Sequence, residues 1–199
     1  LSNLTWQFIG ESMSNNYLES IKKLFEFYKM LGEKTFAQLE AKELFWQYNE
    51  ESNSIGTIVK HLWGNMLSRW TDFLTTDGEK EWRERDAEFD NDIKDKEELF
   101  SKWNEGWDCL YKGINNLTES DLTKVIYIRN QGHTVVEAIS RQLGHCAYHV
   151  GQIVYIGKMI RDNEWTSLSI PKGKSKEANA EKFSISKQKQ HFTDESLKH

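Results

Sequence analysis

Cysteine is scarce in this chain: two residues among 199, Cys109 and Cys146, both in stretches that read as helical. A disulfide framework is therefore excluded, and a reducing, cytoplasmic setting is expected. No apolar run approaches the ~20 residues of a membrane span. The opening LSNLTWQFIGES also lacks the charged start and apolar core of a signal peptide. A soluble, intracellular protein with no membrane partner is the expectation. Positive charge is not in excess either: 26 Lys and Arg stand against 31 Asp and Glu, for a net charge of −5. Nothing in that balance invites nucleic acid. A Gly-rich phosphate loop, a nucleophile elbow and a CxxC pair are all missing, which disfavours a nucleotide-driven enzyme, a serine hydrolase and a thioredoxin-like redox protein.

What the chain does have is aromatic and amphipathic. Eight tryptophans and 13% aromatic residues allow one sizeable core. From Asn15 to Glu40, the positions Leu18, Ile21, Leu24, Phe25, Tyr28, Leu31, Phe36 and Leu39 recur every three or four residues and predict a first helix. AKELFWQYNEES reads as a connection whose Phe45, Trp46 and Tyr48 cover the end of the fold. A second helix is expected from Ser52 or Ser54, either of which caps it, to about Leu74, with Ile55, Val59, Leu62, Met66, Trp70 and Phe73 as its stripe. The charged TTDGEKEWRERDAEFDND reads as a surface connection. A third helix starts near Asp95 with Glu98 closing a capping box, and Asn115 and Asn116 end it. VIYIRNQGHT reads as a short extended segment or hairpin arm.

The fourth helix, Thr134 to Lys158, opens on another capping box, Thr134 with Glu137. Its apolar stripe is Val136, Ile139, Leu143, Cys146, Val150, Ile153 and Gly157. At roughly 100° per residue, His145 and His149 stand about 80 to 120° off the stripe centre, one turn apart. Two such imidazoles can close on one metal ion, although histidine pairs at this spacing also occur as polar neighbours on an exposed face. His61 and Asn65 take a matching shoulder of the second helix, so facing the second helix toward the fourth brings a third imidazole to the same point. Three histidines leave a coordination position for water or substrate. Four helices with short connections predict an all-α, antiparallel four-helix bundle. Residues 1–14 are expected as an N-terminal extension, with Met13 an alternative start. Residues 15–161 form the metal-binding domain. Residues 162–199 are expected as a polar, lysine-rich extension, holding six lysines against two glutamates between Trp165 and Phe192, with its few aromatics spaced too widely for a helix face. A solvated tail partly pinned by its few aromatics, and a partner-binding or dimer-embracing arm, are the two readings of it.

TIVKHLWGN around His61 and GHCAYHVGQIVYIGK around His145 and His149 resemble the metal-binding motifs of the DinB/YfiT superfamily. With SNSIGTIVKHLWGN, SRWTDFLTTDGEKEWRERD and SLSIPKGKSKE added, nearly the whole chain resembles the DUF1572 branch. The resemblance implies a four-helix bundle, often a homodimer, with a divalent metal held by His61, His145 and His149. Zinc, nickel, iron or manganese would suit such a site. It further implies a metal-dependent enzyme on a small-molecule substrate, such as a low-molecular-weight thiol in a thiol S-transferase reaction, since the superfamily includes bacillithiol S-transferases and the mycothiol-dependent maleylpyruvate isomerase. The alternatives are a stress-response protein that senses or sequesters a ligand without turnover, and a dimeric scaffold that has kept the bundle and lost function. Asn65 and Gln152 would then be either outer-shell groups or ordinary polar bundle residues. Arg69 and Arg141 would receive a carboxylate or phosphate, or make surface salt bridges. Cys146 and Cys109 read as inert thiols, His133 as a loop histidine that either reaches a pocket mouth or has no function, and His191 and His199 as tail histidines without a role.

Overall fold

The computed structural model describes residues 2–198, with side chains from residue 16 onward. It is mostly helical: α1 (Ser2–Phe36), α2 (Ile55–Trp70), α3 (Lys96–Asn115), α4 (Val135–Arg161) and α5 (Ser175–Ser184), with β1 (Val125–Ile128) and β2 (Gln131–Thr134) between α3 and α4. Helices α1 and α2 each pack against both α3 and α4. Phe25, Leu62, Met66, Trp103, Trp107, Leu110 and Ile139 fill the space between them. Gly32 lets α1 approach α3 closely: a Cβ there would stand 2.6 Å from the Trp103 ring.

The helix starts follow the caps. Ser54 Oγ accepts from Thr57 N at 3.0 Å, and the Thr134–Glu137 box is closed in both directions. At α3, Asp95 accepts from Glu98 N, but the Glu98 carboxylate accepts from Lys94 N rather than closing on the cap itself. The helix ends follow the sequence less well. α1 stops at Phe36 and begins upstream of Asn15; how the expected extension over 1–14 packs lies outside the described side chains, as does Met13. α2 ends at Trp70, four residues before Leu74, because Asp72 enters the left-handed region at φ 48° and turns the chain.

Three connections differ from expectation. The 41–52 segment contains a short 3-10 turn with Leu44 buried, but Trp46 and Tyr48 stay exposed, so only Phe45 of the three aromatics packs inward. The C-terminal stretch forms a helix, α5, none of whose residues is buried, where an extended tail was expected. Beyond it the chain returns to α1 by polar contacts as well as aromatic ones. Ser20 bonds His191 at 3.0 Å, Lys23 pairs with Asp194 at 2.6 Å, Phe192 lies edge-on to Phe27, and Thr193 is fully buried.

The third departure concerns the loop between α2 and α3. β1 and β2 form an antiparallel hairpin, Val125 opposite Thr134 and Ile128 opposite Gln131. Its two turn residues, Arg129 and Asn130, both have positive φ, 54° and 61°, the type I′ geometry that matches strand twist. Asp77 of the loop accepts from both of their backbone N–H groups, at 2.8 and 2.9 Å, and Gly78 N donates to Tyr127 O at 2.8 Å. The loop is thus stitched to the hairpin that leads into α4. Replacing Asp77 with alanine removes both acceptors. A loss of about 1–2 kcal/mol in stability is expected, measured as a shift of the urea midpoint at unchanged slope.

Candidate metal centre

Helices α2 and α4 bring three histidines together. His61 Nε2 and His145 Nε2 face each other at 3.0 Å, and one ring nitrogen from each of His61, His145 and His149 lies within 4.8 Å of the other two. The ring centroids are 4.6 to 5.1 Å apart. His61 is buried, while His145 and His149 are partly exposed.

The other nitrogens fix how these rings are presented. His61 Nδ1–H donates to Glu88 Oε2 at 2.9 Å, which leaves its Nε2 bare toward the cluster. His149 Nδ1–H donates to Gln152 Oε1 at 2.9 Å, so its Nε2 is bare as well. Phe89 stacks on the His61 ring with centroids 4.9 Å apart. His145 Nδ1 is buried with no partner. Burial first, and then the charges that His149 and His61 would carry, push the His145 pKa down to about 3. Burial and His61 also lower that of His149, against the opposing bond to Gln152. Both rings are therefore neutral at pH 7 and keep their lone pairs.

Glu88 is itself held. Arg83 donates to it through two atoms, Nε to Oε1 at 2.7 Å and Nη2 to Oε2 at 2.9 Å, and both side chains are buried. Burial alone would raise the Glu88 pKa, but the bonds from His61 and Arg83 outweigh it and hold the carboxyl below its usual range. Room for it comes from Gly64 on α2, where a Cβ would stand 2.8 Å from Glu88 Cδ. The loop expected as a surface connection therefore carries a buried ion pair aimed at the cluster. Its string of charges, without apolar periodicity, hides this in the sequence. One signal was present: Gly64 sits three residues after His61 on the same helix face, where the missing side chain leaves room for a group from outside the helix.

The remaining expected residues fall into two groups around the cluster. Asn65, Arg69 and Arg141 line a cavity of about 200 Å³ together with His61 and His145. Asn65 Oδ1 is buried there without a partner. Arg69 donates to Gly78 O and, at 3.0 Å, to Glu79 Oε2, whereas Arg141 is exposed and makes no ion pair with any described residue. Gln152 lies away from this cavity, on His149. Arg83, Arg85, Arg129 and Gln142 also line the cavity and were not singled out in the sequence. Among the thiols, Cys146 is buried and its pKa is pushed up to about 12 by burial, so it stays protonated. Burial also raises that of Cys109. His133 lies in β2, outside the cavity, His191 serves the docking of the C-terminal stretch onto α1, and His199 lies outside the described residues.

A family described as "Protein of unknown function (DUF1572)" matches residues 12–174. The chain belongs to the DUF1572 family. No curated protein matches it, and no solved structure does. The DUF1572 match takes in α2, the Glu88 loop, the hairpin and α4, so every side chain of the centre lies inside the family's span, and it ends before α5. Among the described residues no helix is long and apolar enough to cross a membrane.

Replacing Arg83 with methionine leaves Glu88 buried without its main countercharge. A loss of about 3 kcal/mol is expected in urea unfolding, and a clearly smaller one when Glu88 is replaced by methionine as well, since a lone buried charge is worse than none.

Proposed function

We propose that this protein is a DinB-like, antiparallel four-helix bundle that holds one divalent ion on His61, His145 and His149 and acts on a small molecule. A low-molecular-weight thiol is the first substrate to test. The bundle reading is supported by the way α1 and α2 each pack on both α3 and α4. The metal reading is carried by one observation. His61 Nε2, made bare by the Glu88 bond, points at another imidazole nitrogen 3.0 Å away. With the His145 proton on Nε2 this contact is a hydrogen bond; with the proton on Nδ1 two lone pairs face each other, and a cation between them would relieve their repulsion. Two nitrogens bound to one tetrahedral ion at about 2 Å stand about 3.3 Å apart, close to the separation found. The donor set fits as well: all three are imidazoles, two of them kept neutral by burial.

The chain's own groups divide the work. Glu88 holds His61 in the Nδ1–H tautomer and orients its ring, with Arg83 keeping that carboxylate ionised and in place. Gln152 does the same for His149. Phe89 shields one face of His61 from water. His61, His145 and His149 would hold the ion, whose Lewis acidity would lower the pKa of a thiol or water brought to it. A sensing or sequestering protein would use the same residues, and turnover separates the two.

Protein purified without a histidine tag is expected to carry one divalent ion per chain by elemental analysis, and His149→Ala to carry none. Glu88→Ala should weaken metal affinity about 10- to 100-fold, because His61 loses the bond that orients its ring. A panel of thiols with electrophiles should show a turnover that disappears in His149→Ala. Absence of stoichiometric metal removes the proposal; metal with tight ligand binding but no turnover selects the sensor.

A further inference from the structure

The cavity beside the histidines has a one-sided lining. Five arginines line it, Arg69, Arg83, Arg85, Arg129 and Arg141, and among the described residues no aspartate or glutamate does. Composition does not explain this, because acidic residues outnumber basic ones in the chain. Three of the five are committed to carboxylates set behind the lining. Arg69 and Arg129 each donate to Glu79 at 3.0 Å, and Arg83 grips Glu88. The other two, Arg85 and Arg141, are exposed and have no carboxylate within 4.0 Å among the described residues. They come from the Glu88 loop and from α4, one turn before His145. Every basic side chain in the lining apart from the histidines is arginine and none is lysine, and the planar arginine fork matches a carboxylate or phosphate through two parallel bonds.

We infer that the compound this site takes is a small oxyanion, a carboxylate or phosphate, whose charged group is received by Arg85 and Arg141 while its other end lies toward His61 and His145. As a statement about substrate it rests on the metal-centre reading above, but the arginine pair acts whether or not an ion is bound. Arg69, Arg83 and Arg129 add a positive field that draws the anion in, and their own carboxylates keep them from closing on it directly.

Calorimetric titration of the full chain at low ionic strength, as purified with its metal, tests this with succinate, its neutral diamide succinamide, and inorganic phosphate. Succinate or phosphate should bind and succinamide should not; whichever anion binds more tightly identifies the carboxylate or phosphate source. The Arg85→Gln/Arg141→Gln double variant, whose changes are at exposed positions, should bind the anion at least about tenfold more weakly. Lys172→Gln, an exposed lysine away from the cavity, should bind as the parent does. Repeating the titration in His149→Ala separates the two readings: anion binding that persists there and still falls on loss of both arginines supports the anion site even if no metal is held. Anion binding unaffected by the double substitution, succinamide binding as tightly as succinate, or no saturable binding of either anion overturns the inference.

Discussion

The candidate centre depends on one buried carboxylate. Glu88 lies between Arg83 and His61, and each of the three would be poorly placed without the others. Burying a carboxylate costs several kcal/mol. Here that cost is offset by three hydrogen bonds in which at least one partner is charged, each worth about 1.5–3 kcal/mol. The arrangement also settles which His61 nitrogen faces the cluster, so a bond outside the cluster decides the chemistry inside it.

This dependence gives the 71–95 loop a second purpose. Asp77 ties it to the hairpin turn, Glu79 ties it to Arg69 and Arg129, and Glu88 ties it to His61. The hairpin in turn runs directly into the Thr134 cap of α4. The helices carrying the histidines are therefore linked by their packing and by a polar strap across loop and hairpin. Gly64 is the small residue that admits the strap to the surface of α2.

The helices and the three histidines were legible in the sequence because they obey periodicity. Apolar residues at three- and four-residue spacing marked the four long helices, Ser54, Asp95 and Thr134 marked three of their starts, and the angular offset of His145 and His149 from their stripe placed them at a cleft. Where α1 and α2 end was not legible, since Leu39 and Phe73 continue the apolar pattern past the last helical turn and stay buried in irregular chain. Glu88 and Arg83 were hidden for a different reason. Their partners lie five residues apart in a loop, or 27 residues back on a helix, and no repeat connects such positions. Helix α5 was missed because it buries nothing, leaving no stripe to read.

Cys146 sits between two of the histidines in the chain, yet its sulfur belongs to the apolar side of α4, fully covered and protonated. The cluster itself offers only nitrogen. An ion held there would meet imidazole and no thiolate of this chain, because of which way one residue faces. Any sulfur that meets an ion seated between these rings has to arrive on another molecule.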